Sequence, residues 1–333
     1  MQPLAILAAL AKPLPMYYSI LHKTRYRYSA LVTENVTEVR MQPRSEGVQR
    51  CLTFKLTTSP FARIYNYRDS YGNVVHHFDI PAPHRTTTIT AESLVILPPL
   101  PSLPEALSID TWAQLDAIVR EEDHWDFLNP SHFVRSTPLL IRLAEELNVM
   151  RHTDPLSLLR LLNERMYTTF GYDLNHTEVD SPIDLALEAR KGVCQDFAHI
   201  MIALVRSLGI PCRYVSGYLF HRIEDNDRSS QDATHAWVEA LLPNLGWVGF
   251  DPTNNLIAGD RHIRTAVGRD YADVPPTRGV FKGQAESILE VGVKVVPTEL
   301  PIPEEEVDPR PTGVTPATIE DAEAIEQAQQ QQQ

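Results

Sequence analysis

The chain has 333 residues and a formal net charge of −13, with 43% hydrophobic and 22% charged residues. That is the balance of a globular protein with enough length for a sizeable core and two domains. The acidity argues against a nucleic-acid partner, and much of it lies after Thr298, where nine Asp and Glu residues meet one Arg. The three cysteines, Cys51, Cys194 and Cys212, make no disulfide framework. Neither CxxC nor HExxH appears, so no metal and no cofactor is expected.

In chain order, residues 1–16 read as an N-terminal extension. The apolar run at residues 4–11 has no basic residue before it and no cleavage site after it, so it is not read as a signal peptide. No stretch approaches a membrane span in length. The expectation is a cytoplasmic protein with reduced thiols and no membrane partner. Residues 17–98 are rich in Val, Thr, Ile and Tyr. Segments 23–28, 36–41, 50–58, 64–68, 73–80 and 86–95 read as short strands, with a turn at Asp69-Ser70-Tyr71-Gly72-Asn73. Their spacing predicts an antiparallel β-sandwich. The joint Pro98-Pro99-Leu100-Pro101 then opens a second domain over residues 99–297.

That second domain starts helical. Leu139, Leu140, Leu143 and Leu147 recur at helical spacing, and Leu158, Leu159 and Leu162 mark a second helix over residues 154–170. A third follows Gly192: Phe197, Met201, Leu204 and Leu208 share a stripe that Gly209-Ile210-Pro211 ends. Cys194 therefore sits at a helix start, where the partial positive charge favours a thiolate and the Cys194 N–H can meet an oxyanion. Cys51 and Cys212 lack that context and read as packing residues.

Two strands come next. Asp232-Ala233-Thr234-His235-Ala236-Trp237-Val238-Glu239 alternates, with His235, Trp237 and Glu239 on one face, and Trp247–Asp251 follows a turn near Pro243. A hairpin about Pro243 puts Asp251 opposite His235, and a slip of two residues keeps both on one face. Cys194 then serves as nucleophile, His235 as base and acid, and Asp251 as the carboxylate that orients the imidazole. The loop containing Asp225-Asn226-Asp227 reads as solvated. Residues 298–333, with their prolines, acidic run and glutamine tract, read as a disordered tail.

At these motifs the sequence resembles the transglutaminase-like superfamily. The matching stretches are Gly192-Val193-Cys194-Gln195-Asp196-Phe197-Ala198-His199, Thr234-His235-Ala236-Trp237-Val238-Glu239 and Trp247-Val248-Gly249-Phe250-Asp251-Pro252-Thr253. Residues 17–97, with the Asp69–Asn73 turn as landmark, look like the β-rich N-terminal region of bacterial members. The resemblance implies an α+β fold, with a Cys-bearing helix packed on an antiparallel sheet carrying His and Asp. It also implies a thioester at Cys194 and a protein or peptide substrate with an amide side chain or backbone bond. Tyr172 is an oxyanion candidate beside the Cys194 backbone, and Gln195 and Trp237 are substrate-cleft candidates. Gln195 stands where animal crosslinking enzymes usually carry Trp, and no calcium loop is evident. A peptidase or amidohydrolase is therefore expected ahead of a protein-glutamine acyltransferase or a non-catalytic binding module.

Overall fold

The computed structural model describes residues 15–299, apart from residues 223 and 226. The proposed extension before residue 15 and the proposed tail after residue 299 lie outside the described residues.

The chain opens with one long strand, β1 (Met16–Val39), followed by β2 (Arg50–Ser59), β3 (Tyr65–Arg68), β4 (Val74–Ile80) and β5 (His84–Leu97). β1 merges the two segments expected at 23–28 and 36–41. Alternate residues Tyr18, Ile20, His22 and Thr24 are buried, as a strand with one covered face requires. Its first half pairs with β5 and its second half with β4. The β-rich region is thus one curled antiparallel sheet, ordered β2-β5-β1-β4-β3, whose two halves share β1.

Helices α1 (Thr111–Glu121), α2 (Trp125–Leu128), α3 (Pro138–Glu146) and α4 (Pro155–Thr169) follow. α3 and α4 fall where the leucine periodicity puts them. Each starts with Pro in its first turn, and the Thr137 and Asp154 side chains accept from first-turn N–H groups. The short strand β6 (Gly171–Tyr172), α5 (Ile183–Ala189) and β7 (Lys191–Gly192) lead into α6 (Cys194–Ser207). α6 is buried on nearly every side, because it lies between α3–α5 and a second sheet.

That sheet contains β8 (Cys212–Leu219), β9 (His235–Leu242), β10 (Gly246–Asp251), β11 (Leu256–Ile257) and β12 (His262–Gly268), ordered β11-β10-β9-β8-β12 and antiparallel throughout. Ala236, Val238 and Ala240 share the main core with Phe197, Met201 and Leu204 of α6.

The chain then returns to its beginning. β13 (Thr277–Lys282) pairs with the second half of β1, and β14 (Ser287–Thr298) pairs with the first half. The segment assigned to the second domain, 99–297, therefore gives its last strands to the first sheet. Met16 and Thr298, assigned to the two ends, both belong to that sheet. The expectation missed this because it ordered the regions by sequence, whereas these strands find their partners some 250 residues upstream.

The two regions meet at the outer edge of β12. The Asn73 side chain donates to the Val267 carbonyl and accepts from the Val267 N–H, both at 2.8 Å. Gln49 does the same for Arg264, at 2.9 Å each way. An edge strand leaves alternate backbone groups without partners, and these two fully buried amides satisfy four of them. Asn73 is the last residue of the Asp69–Asn73 turn.

Asn73→Ala removes both bonds to Val267 and leaves a buried N–H and C=O unpaired. We expect a loss of roughly 2–4 kcal/mol in urea unfolding. The exposed Asn66→Ala should stay within about 0.5 kcal/mol of wild type. Equal stabilities for the two variants would rule out the edge-capping role.

Candidate active site

Cys194 opens α6. Ahead of it, the Asp196 carboxylate reaches back to accept from the Val193 N–H at 2.8 Å and also accepts from the Thr177 hydroxyl. This holds the helix start in one conformation. It also requires Gly192: a Cβ there would lie 2.5 Å from Asp196 Oδ2. Cys194 is half-buried, and its N–H belongs to the first turn, where no helical carbonyl is available to it.

His235 begins β9 and Asp251 ends β10. The hairpin pairs Leu242 with Gly246 and Val238 with Phe250. This differs by two residues from the register that sets His235 against Asp251. The turn centres on Asn244, not Pro243, because Asn244 and Gly246 both adopt positive φ (62° and 71°). The slip keeps both side chains on one face, and they meet diagonally: His235 Nε2 lies 2.7 Å from Asp251 Oδ2.

The pair is fully enclosed. Burial alone would lower the His235 pKa, but the Asp251 charge, their hydrogen bond and Cys194 outweigh it and raise the value to about 10. Burial would likewise raise the Asp251 pKa, yet the charge and hydrogen bond of His235, followed by those of His262, hold it well below the usual carboxylate range. With Nε2 engaged by Asp251, Nδ1 is the nitrogen left for Cys194, and it has no hydrogen-bond partner of its own.

Asp251 is tied down from several directions. Oδ1 accepts from the Thr253 and Asn254 N–H groups at 3.1 and 3.3 Å. Oδ2 accepts from the Asn254 side chain at 2.9 Å and faces His262 Nε2 at 3.2 Å. His262 was not among the residues singled out in the sequence. It follows Asp251 by eleven positions, belongs to no motif read there, and arrives because the chain crosses the sheet face between β11 and β12. His235, Asp251 and His262 present ligand-type atoms within 4.8 Å of one another. Both imidazoles address the same carboxylate oxygen at hydrogen-bond distance, so the cluster is satisfied internally.

Tyr172 reaches the site through β6, which pairs in parallel with β7 and sets Tyr172 beside Gly192. Burial first, and then the nearby Cys194, push its pKa up to about 12. It therefore remains a protonated O–H donor at neutral pH. Gln195 is buried, and its amide nitrogen donates to the Val179 carbonyl at 2.7 Å. That bond ties α6 to the loop before α5. Trp237 is fully buried. Its indole lies across the sheet between Gly217 of β8 and Gly249 of β10, where a Cβ would come within 2.7 and 3.5 Å of the ring. It stacks on His235 with ring centroids 6.0 Å apart. Trp237, Glu239 and His262 also line a cavity of about 690 Å³ on that face.

The loop after β8 differs from its expected solvated character at one point. Asp227 is buried, held by Arg261 at 2.8 Å and facing His221 at 3.4 Å, while Asp225 is more exposed. Its charge is compensated by Arg261, 34 residues further along the chain, a pairing that local sequence does not reveal.

Two family models match. Residues 142–252 match the transglutaminase-like superfamily, and residues 18–96 match the bacterial transglutaminase-like N-terminal region. An uncharacterized protein of Mycobacterium tuberculosis is 37% identical over 297 residues, covering 85% of this chain and 93% of that protein. A Pseudomonas aeruginosa protein-glutamine gamma-glutamyltransferase is 30% identical over 154 residues, covering 44% of this chain and 22% of that protein. A solved structure of a candidate cysteine protease from Cytophaga hutchinsonii superposes with a TM-score of 0.65 at 22% identity, covering 87% of this chain and 93% of that one. With Cys194, His235 and Asp251 all inside the first matched region, and the curled sheet inside the second, the chain belongs to the transglutaminase-like superfamily and carries its bacterial N-terminal region.

Proposed function

We propose that this protein is a cysteine-dependent amidohydrolase acting on peptide or amide bonds through a thioester at Cys194. The observation that carries the reading is the buried 2.7 Å contact between His235 and Asp251, with Cys194 at the adjacent start of α6. An enclosed imidazolium–carboxylate pair can sustain a thiolate beside it.

In this reading the Cys194 thiolate attacks the amide carbonyl carbon, and the carbonyl π electrons move to oxygen. The Cys194 N–H and the Tyr172 hydroxyl donate to that oxyanion. Protonated His235 gives its proton to the nitrogen as the C–N bond breaks, releasing amine and leaving the thioester. His235, now neutral, takes a proton from water. The hydroxide adds to the thioester, and the C–S bond breaks to release the acid and regenerate the thiolate. Asp251 holds the ring orientation and balances the imidazolium charge throughout. Among the described residues no helix is long and apolar enough to cross a membrane. The unpaired state of Cys51, Cys194 and Cys212 is consistent with the reducing, cytoplasmic setting we propose.

A second reading has support of its own. The Pseudomonas relative named as a protein-glutamine gamma-glutamyltransferase favours an amine as the acceptor. Water is favoured here because the loop between β8 and β9 carries charged side chains, among them the exposed Arg222, which pairs with Asp260 of the segment between β11 and β12.

Three measurements test these statements. Burial raises Cys51 and Cys212 to about 11 and 12, so iodoacetamide at mildly acidic pH should modify Cys194 first. Equal labelling would count heavily against a catalytic Cys194. Intact-mass trapping against peptides and glutamine amides should find acyl groups on Cys194, and His235→Ala and Asp251→Asn should each reduce turnover by roughly 10³-fold or more, with the double variant little worse.

The His235 pKa fixes the sign of a pH effect. Its contribution to stability is fully present below the ordinary value of 6.5 and is lost as pH rises through about 10. The melting-temperature gap between wild type and His235→Asn should therefore narrow on going from about pH 6 to about pH 10. A widening gap would contradict the raised value.

With a reactive acyl substrate and millimolar primary amine, free acid should be the main product and its share should depend only weakly on amine. Saturable amine dependence with amide as the main product would transfer the assignment to the acyltransferase reading.

A further inference from the structure

Resting on the triad reading above, we infer that His262 is a positioning residue: a neutral Nε2–H donor that holds the Asp251 carboxylate in the orientation His235 needs. Its tautomer follows from its surroundings. The Gly259 N–H donates to His262 Nδ1 at 3.3 Å, so that nitrogen accepts, and the ring proton resides on Nε2. Nε2 is the atom that faces Asp251 Oδ2 at 3.2 Å. Oδ2 thus receives two imidazoles, His235 from the central strand β9 and His262 from the edge strand β12.

The two rings differ in what they can do. His235 meets Cys194 and changes protonation in the proposed reaction. His262 is sealed against the edge of Trp237, with centroids 5.1 Å apart. Burial, followed by the opposing influences of Asp251, His235 and Arg261, lowers its pKa. It stays neutral while His235 is protonated, so the carboxylate carries one cationic and one neutral partner. A neutral donor does not compete for the carboxylate's charge as a second imidazolium would. It still restrains Oδ2 from rotating away.

The other ionisable groups around the cluster are Cys194 on α6, Tyr172 on β6, His221 and Asp227 in the loop after β8, and Arg261 in the turn before β12. Asp227 is matched by Arg261. Burial lowers the His221 pKa and raises that of Tyr172, in each case against the charged form. Comparing each His262 variant with wild type at the same two pH values holds these neighbours constant.

The experiment needs no substrate: the rate of Cys194 alkylation by iodoacetamide, measured on the full chain. An ordinary thiol carries little thiolate near pH 5.5 and is mostly thiolate near pH 9.5, so the ratio of the alkylation rates at the two pH values reads what the site does for the nucleophile and cancels accessibility. His262→Gln places an amide donor near the Nε2 position. His262→Asn places one near Nδ1, too short to reach Asp251. We expect the acid-to-alkaline ratio to fall about fivefold or more in the Asn variant and to stay within about twofold of wild type in the Gln variant. Added imidazole, entering by the 690 Å³ cavity that His262 lines, should restore part of the ratio in His262→Ala. Unchanged ratios in both the Asn and Ala variants, each folded by circular dichroism, would reduce His262 to packing. If the Asn or Ala variant does not fold, a Gln variant that folds yet loses the ratio overturns the donor role, and one that keeps it upholds it. Failure of the triad reading looks different: wild type itself would show no acid-range alkylation, and Cys194→Ala would retain hydrolysis.

Discussion

The structure around the site is organised by one full charge kept out of water. Asp251 has no exposed surface, and an ionised carboxylate in such a place is tolerable only when its oxygens are filled. Each of its partners makes a demand on the fold. The N–H groups of Thr253 and Asn254 require the chain to turn back sharply after β10. His235 requires β9 to pair with β10 in a register that keeps odd-numbered residues on this face. His262 requires the chain to cross the sheet from β11 to β12. A change in any of these would leave the carboxylate short of a partner, so the sheet's topology and its charge are solved together.

The helix side obeys a separate constraint. α6 is enclosed by helices on one side and by the sheet on the other, which fixes where its N-terminus points. Asp196, Thr177 and Gly192 then fix how that terminus begins. Trp237 supplies the floor beneath His235, and it can lie flat only because glycines occupy the neighbouring strands at Gly217 and Gly249. Cys194 and His235 are thus each set at the end of a rigid element, the arrangement that precise geometry demands.

Much of this was legible in the sequence, for physical reasons that are local. A glycine before a helical stripe marks the Cys194 position. Alternation in β9 and turn residues after it put His235 and Asp251 on one face, even though the centre of the turn fell one residue later than expected. What was not legible is what depends on distant partners. His262 lies on a strand whose alternation resembles that of any core strand, and nothing near it in sequence signals a carboxylate. Asp227 looked solvated because its cation, Arg261, is 34 residues away. The strands from Thr277 to Thr298 went unassigned because their partner is β1, and β1 itself was read as two short strands, although it runs on through the register shift between Arg27 and Val32. Gln195 and Trp237 carried signals of importance, and what sequence did not show is their contacts: Gln195 with Val179, and Trp237 with His235 and His262 while it lines the cavity.

The return of β14 to β1 also bears on how the chain comes into being. Tyr17 pairs with Thr298 and Tyr28 with Ser287, so the first strand made is joined by the last strand described here. During synthesis, β1 leaves the ribosome on the order of tens of seconds before β14 exists. Through that interval one backbone edge of β1 lacks its β14 partner, and the whole segment between the two strands must emerge before the ladder can close. Such a ladder spans a very large loop, which slows its formation and lengthens the exposure of a pairing edge. The segment that carries Cys194, His235 and Asp251 therefore emerges while that edge of β1 is still open.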